Sequence, residues 1–156
     1  MNELAAELGA LLKERRQTIA VAESSAGGLI NAALVAVPGA SHFYLGGAII
    51  YTKAGRTSLM GIADMKGMRS ASEPYAELLA ETVRAKLGAT WGLSETGASG
   101  PTGNRYGDAA GHACIAVSGP RNAVVTVETR SADREANMRE FTRRALQLLA
   151  SCLRND

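Results

Sequence analysis

A short apolar run, Thr18 to Ala22 (TIAVA), stands between two stretches of helical periodicity. Before it, Leu4, Leu8, Leu11 and Leu12 share one face of a helix expected over Asn2 to Arg16, and Lys13, Arg15 and Arg16 fall in its last turn, where the macrodipole favours cations. After it come Glu23-Ser24-Ser25-Ala26-Gly27-Gly28 and a second helical pattern, Leu29 to Val37, stopped by Pro38-Gly39. A short apolar strand set between helices cannot form a tight hairpin with its neighbours in sequence. It is expected to lie buried in a sheet whose strands are joined by crossovers.

The alternation continues. Leu45 to Tyr51 reads as a second strand and Thr52 to Met60 as a short helix or turn ended by Gly61. A longer helix begins at Ser72, with Ser70 (paired with Glu73) and Ser72 as competing N-caps and Pro74 in the first turn. Leu78, Leu79, Val83 and Leu87 form its apolar stripe and Gly88 its stop. Ala89 to Glu95 is a third strand. His112 to Ser118 and Ala123 to Thr129 make a hairpin through Gly119 to Asn122. Asp133 caps a last helix running to about Leu153, with Met138, Phe141, Leu148, Leu149 and Cys152 turned inward. The simplest assembly is α/β: a three-layer α/β/α sandwich around a mixed five-stranded sheet with one strand antiparallel. No linker or repeat interrupts residues 1–156, so one domain is expected.

Composition narrows the function. The formal net charge is +2, from 17 basic and 15 acidic residues, without the concentrated basic excess of a dedicated nucleic-acid binder. No apolar run reaches the roughly 18–20 residues of a membrane-spanning helix, and the first segment carries acids early and bases late, the reverse of a signal peptide. A cytoplasmic protein with no membrane partner is the expectation. Cys114, Cys152, His42 and His112 show neither CxxC nor HxxxH spacing, so neither a disulfide framework nor a metal site is expected. A Ser–His–Asp triad would need His42 or His112, and neither sits in a triad motif.

Three segments can carry chemistry. Ser24 and Ser25 leave a buried strand and enter a helix, where free N–H groups can hold an anion; the same serines can also simply cap that helix. Gly97 to Gly111 (GASGPTGNRYGDAAG) holds five glycines in 15 residues, a long structureless loop that is either an anion cradle, with Thr96, Ser99 and Thr102 adding hydroxyls, or mobile surface. Tyr51 to Arg56 (YTKAGR) places Lys53 and Arg56 after the second strand, as anion ligands or as a solvated basic patch. All three follow strands expected to be parallel, so their ends can converge on one cleft.

The blocks IAVAESSAGGLINAAL, PGASHFYLGGAIIYTKAGRTSLMGI and SETGASGP, with the terminal basic helix, resemble the CinA carboxy-terminal domain family in order over nearly the whole chain. The resemblance implies the same three-layer fold. It also implies a nicotinamide-nucleotide amidase that converts nicotinamide mononucleotide to nicotinate mononucleotide and ammonia without metal or organic cofactor. The family block AESCTGG places its serine nucleophile on Ser24, with Ser25 and Ala26 replacing cysteine and threonine and Gly27 and Gly28 kept. The block YSNEAK keeps Tyr51, puts Lys53 at the asparagine and Arg56 at the lysine that works with the serine. TGIAGP matches Thr96, Gly97, Gly100 and Pro101, with Ser99 for an alanine, and KPVG becomes Asp108 to Gly111 (DAAG).

Arginine stays protonated at any useful pH, so Arg56 can hold an anion but cannot take the Ser24 proton. Lys53, three residues earlier, shares a helical face with Arg56 and is the expected replacement base. The resemblance thus implies attack by Ser24, an oxyanion held by N–H groups near Gly27 and Gly28 or from the Gly97 loop, and nucleotide binding by Ser25, Arg56 and Thr96 to Gly100. The alternative is a nucleotide-binding module that kept the cleft and lost turnover with the lysine. Small α/β domains often form homo-oligomers, but the sequence marks no interface. In the wider family a second, amino-terminal domain can precede this one, and none is expected within these 156 residues.

Overall fold

The computed structural model describes residues 1–156. Helix α1 (Asn2–Glu14) leads into β1 (Ile19–Glu23), α2 (Leu29–Val35) and β2 (Tyr44–Ile49). A single turn, α3 (Lys53–Gly55), runs on as a wider π turn over Arg56–Met60. Helix α4 (Glu73–Leu87), strands β3 (Trp91–Ala98), β4 (His112–Ser118) and β5 (Ala123–Glu128), and helix α5 (Arg134–Arg154) complete the chain. The strand order is β2-β1-β3-β4-β5. Strands β2, β1 and β3 are parallel, and β4 is antiparallel to both its neighbours, so the sheet is mixed with one reversed strand.

Burial of β1 on both faces explains its continuous apolar run. Ile19 and Val21 pack with α1, α2 and α5, while Ala20 and Ala22 pack with α4 on the other side. The larger core joins Leu8 and Leu12 of α1, Ile30 and Leu34 of α2, and Phe141, Leu146 and Leu149 of α5. Each such side chain removed from water contributes about 1.5–3 kcal/mol. On the α4 side, Tyr75, Leu79 and Val83 pack over β1, while small residues, Ala76 and Ala80 against Cys114 and Ala116, make the contact with β4.

Several boundaries differ from the sequence expectation. Helix α1 stops at Glu14, and Arg16 turns left-handed (φ 54°) to lead into β1. Ser72, not Ser70, is the N-cap of α4: its hydroxyl accepts from Tyr75 N at 3.4 Å and donates to the Arg69 carbonyl at 2.7 Å. In α5, Asp133 caps by accepting from Ala136 N. Met138 and Leu148 are only half-buried; Asn137, Thr142, Ala145 and Leu146 fill the inward face with Phe141, Leu149 and Cys152.

The largest departure is β3, which continues past Glu95 to Ala98 because Glu95, Thr96, Gly97 and Ala98 pair with Ile115, Cys114, Ala113 and His112 of β4. The expected structureless stretch therefore begins only at Ser99, and its later part is tied down. Asn104 Oδ1 accepts from Tyr106 N and Asp108 N at 3.0 and 3.1 Å.

Candidate functional site

The carboxyl ends of β1, β2 and β3 open onto a cleft of about 450 Å³. Ser24 and Ser25 line it after β1, Tyr51, Thr52, Lys53 and Arg56 after β2, and Thr96 to Gly100 at the end of β3. Arg134, at the start of α5, and Arg105 of the β3–β4 loop also line it. The lining holds four cations (Lys53, Arg56, Arg105 and Arg134) and no carboxylate. Such a surface attracts an anion.

The turn after β1 is built on two buried glutamates. Glu23 accepts N–H bonds from Gly28 (2.8 Å), Ile30 (3.3 Å) and Asn31 (2.8 Å) and from the Asn31 side-chain amide (2.7 Å), so its carboxylate plugs the start of α2. Glu95 rises from β3 beneath the same turn. One of its oxygens accepts from Ser24 N at 3.1 Å and Ala26 N at 2.7 Å; the other accepts from the Ser25 hydroxyl. Burial pushes the Glu95 carboxyl up to about 7, with Glu23 adding to the rise and the three donors opposing it.

These bonds correct one expectation. The N–H of Gly28 is held by Glu23, that of Gly27 by the Ser24 carbonyl at 3.0 Å, and that of Leu29 by the Ala26 carbonyl. Gly27 packs beneath Met138 and Gly28 beside Ile49, away from the cleft. Neither glycine can offer an oxyanion donor or touch substrate from there. Of the turn's N–H groups only that of Ser25 is left without a partner.

Gly97 lines the cleft with its backbone, and a Cβ there would lie 2.3 Å from the His112 carbonyl, so its role in the fold is close strand packing. Gly100 carries φ +103°, which a side chain rarely adopts. The N–H groups of Ser99, Gly100, Thr102 and Gly103 make no hydrogen bond within the chain, and all four residues line the cleft. This segment, rather than the start of α2, is where an anion can find backbone donors.

Lys53 and Arg56 both line the cleft. Arg56 Nε donates to the Ile62 carbonyl at 3.1 Å, and its guanidinium lies near Tyr75, whose hydroxyl is pushed up by burial while Arg56 pulls the other way. Tyr51 accepts from Arg134 Nη2 at 2.7 Å, and Arg134 Nη1 reaches the Gly100 carbonyl at 2.5 Å. One guanidinium thus straps the end of β2 to the β3 loop. Thr96 Oγ1 accepts from Ala71 N at 3.1 Å, and the Ser99 carbonyl accepts from Asn137 Nδ2 at 2.9 Å.

Neither histidine faces the cleft. His42 is exposed. His112 is buried between the Ala71 carbonyl (Nε2, 2.8 Å) and Glu128 (Nδ1, 2.5 Å). Both ring nitrogens face acceptors, which calls for the imidazolium. Burial opposes that charge, but the bonds to Glu128 and Ala71 and the nearby Asp108 outweigh it and raise the pKa.

Sequence reading missed Glu95, Glu23, Arg134 and the Arg69–Asp108 pair, in which Asp108 meets both guanidinium nitrogens at 2.6 and 3.2 Å. Signals existed: two glutamates closing apolar strands, and an arginine in the first turn of a helix, where the macrodipole disfavours it.

The CinA C-terminal domain model matches residues 1–153. The chain belongs to the CinA C-terminal domain family. A CinA-like protein of Prochlorococcus marinus (strain MIT 9313) is 43% identical over 112 residues, covering 70% of this chain and 26% of that protein. One from Synechococcus sp. (strain CC9902) is 36% identical over 158 residues, covering 96% of this chain and 38% of that protein. This CinA-family chain therefore spans well under half the length of these curated relatives. Among solved structures, a competence-damaged protein (CinA) superfamily protein from Klebsiella pneumoniae 700603 superposes with a TM-score of 0.93 at 22% identity, covering 99% of this chain and 98% of that one. Another from Escherichia coli gives 0.89 at 24%, covering 96% and 88%. At those identities the superpositions speak for the fold, a CinA-type mixed five-stranded α/β sheet. No helix is long and apolar enough to cross a membrane.

Proposed function

We propose that this CinA-family domain hydrolyses the carboxamide of a pyridine nucleotide, converting nicotinamide mononucleotide to nicotinate mononucleotide and ammonia. The observation that carries the reading is the cleft: two serines at a strand end, surrounded by four cations and no carboxylate. The nucleotide phosphate sits against the Ser99–Gly103 backbone with Arg105 or Arg134, and the carboxamide lies over the turn. A serine of that turn forms the acyl-enzyme and water cleaves it; the resemblance of the ESSAGG block to the family's AESCTGG points to Ser24. No metal or organic cofactor takes part, and neither nucleic acid nor membrane is a partner. A cytoplasmic location fits a soluble nucleotide substrate.

One observation favours a second reading, a nucleotide-binding module. The family lysine is Arg56, and its Nε is tied to the Ile62 carbonyl. Ammonia release from nicotinamide mononucleotide separates the two. Release abolished in the double variant Ser24→Ala/Ser25→Ala supports the amidase; release that survives it overturns the serine mechanism. Thermal stabilisation by the nucleotide without any release supports the binding module.

A further inference from the structure

We infer that Ser25 and Glu95 form a nucleophile–base dyad, which supplies the proton acceptor that Arg56 cannot. The inference rests on the amidase reading and refines it by moving the attacking hydroxyl from Ser24 to its neighbour Ser25, the one that meets the buried carboxylate. A working nucleophile needs a base within hydrogen-bond reach and something to orient that base. The Ser25 hydroxyl donates to Glu95 Oε2, and Oε1 is fixed by two backbone donors, Ser24 N and Ala26 N. Ser24 meets Glu95 only through its backbone N–H. Ser25 lines the cleft, whereas Glu95 lies wholly beneath it, shielded from water. The charged group facing Glu95 from the neighbouring strand is Glu23, whose repulsion, with burial, makes Glu95 a stronger base than an exposed carboxylate.

The steps balance. Ser25 Oγ bonds to the carboxamide carbon as Glu95 Oε2 takes the hydroxyl proton. The C–N bond then breaks, and Glu95 returns that proton to the departing nitrogen, giving ammonia. Water attacks the ester carbon and passes a proton to Glu95, which hands it to Ser25 Oγ as the ester bond breaks. The net change is amide plus water to carboxylic acid plus ammonia.

The test uses the full chain and an alkyl fluorophosphonate, with the modified serine located by peptide mass spectrometry. Glu95→Gln is the key variant. Its amide oxygen still accepts from Ser24 N and Ala26 N, so the turn is kept while the base is lost; thermal unfolding checks the fold. The expected result is a phosphonyl adduct on Ser25, formed about 10²–10⁴-fold more slowly in Glu95→Gln. The labelling rate of the wild type should fall with a single protonation on acidification below neutral pH, and Glu95→Gln should lose that dependence. An adduct on Ser24, no adduct, or labelling undiminished in Glu95→Gln overturns the dyad. Labelling of Ser25 with no ammonia from nicotinamide mononucleotide overturns the proposed substrate and leaves the dyad standing.

Discussion

The turn after β1 and the loop after β3 both bring backbone to the cleft at the end of a parallel strand, yet they hold their donors in opposite states. In the turn, seven N–H groups between Ser24 and Asn31 are engaged, three by Glu23, two by Glu95 and two by nearby carbonyls. In the loop, those of Ser99, Gly100, Thr102 and Gly103, all residues that line the cleft, have no partner within the chain. A helix start is a ready anion site only while its N–H groups are free. Here a carboxylate from the preceding strand already fills it. The turn therefore presents two hydroxyls on a hydrogen-bonded backbone, while the loop is the segment whose backbone donors are free for an anion.

The comparison predicts its own largest failure. Glu23→Ala removes the acceptor for three backbone donors and one side-chain donor, all in or near the core. Buried orphan donors cost about 1–3 kcal/mol each before water enters, so the expected loss is roughly 3–5 kcal/mol in urea unfolding. A loss below about 1 kcal/mol would mean that the turn is not held by its carboxylate.

Glu95 supplies the next effect, read through pH. Burial pushes its carboxyl from an ordinary 4.5 up to about 7, so the folded state binds more protons between those values. Stability then falls as pH rises through that window, by at most on the order of 3 kcal/mol. His112 acts in the same direction, since a raised histidine pKa gives stability that is lost as pH climbs through the folded value. Glu95→Gln should remove only the glutamate part, so its stability relative to wild type should improve from pH 5 to about pH 7 and level off above that. Parallel curves for the two proteins over that range would show that Glu95 is not the titrating group.

The strands and their succession along the chain were legible because TIAVA is short, β-branched and set between helical patterns; their order across the sheet, β2-β1-β3-β4-β5, was not, since it depends on pairing between distant segments. The candidate site was half legible. Ser24, Ser25 and Arg56 stand in recognisable blocks, and the geometry brings them to one cleft. Glu95 was hidden because its partners lie about 70 residues away, at Ser24, Ser25 and Ala26, and only β1–β3 pairing brings them together. The oxyanion expectation at Gly27 and Gly28 failed for a related reason. Nothing in the sequence gives Glu23 a role, yet it ends β1 and its side chain folds forward over the next turn.

On the loop side, Asp108→Ala sharpens the contrast. Asp108 holds Arg69 through both nitrogens and accepts from Asn104 Nδ2 at 2.8 Å, fixing the far end of the segment that bears the unpaired donors. Burial works against the charge of Asp108, but Arg69, Asn104 and His112 more than offset it and hold the carboxyl below its ordinary value. Loss of these three contacts, with the loop partly able to re-form without them, predicts a KM raised roughly tenfold with kcat little changed. An equal fall in kcat at constant KM would place the loop in the chemistry rather than in binding.

The smallest expected effect comes from the strap between the two sides. Arg134 reaches the Gly100 carbonyl with one nitrogen and the Tyr51 hydroxyl with the other, a fork that one ammonium cannot reproduce. Arg134→Lys keeps the cleft's positive charge and gives up one of the two bonds. The Gly100 turn then loosens while the field on a bound phosphate is preserved. The expected result is a KM raised about threefold, equivalent to ~0.6 kcal/mol, with the labelling rate of Ser25 unchanged. Salt should weaken nucleotide binding equally in both proteins, because the charge count is the same. If Arg134→Lys instead slows labelling of Ser25, the strap also braces the turn, and the division of labour between turn and loop fails at this point of contact.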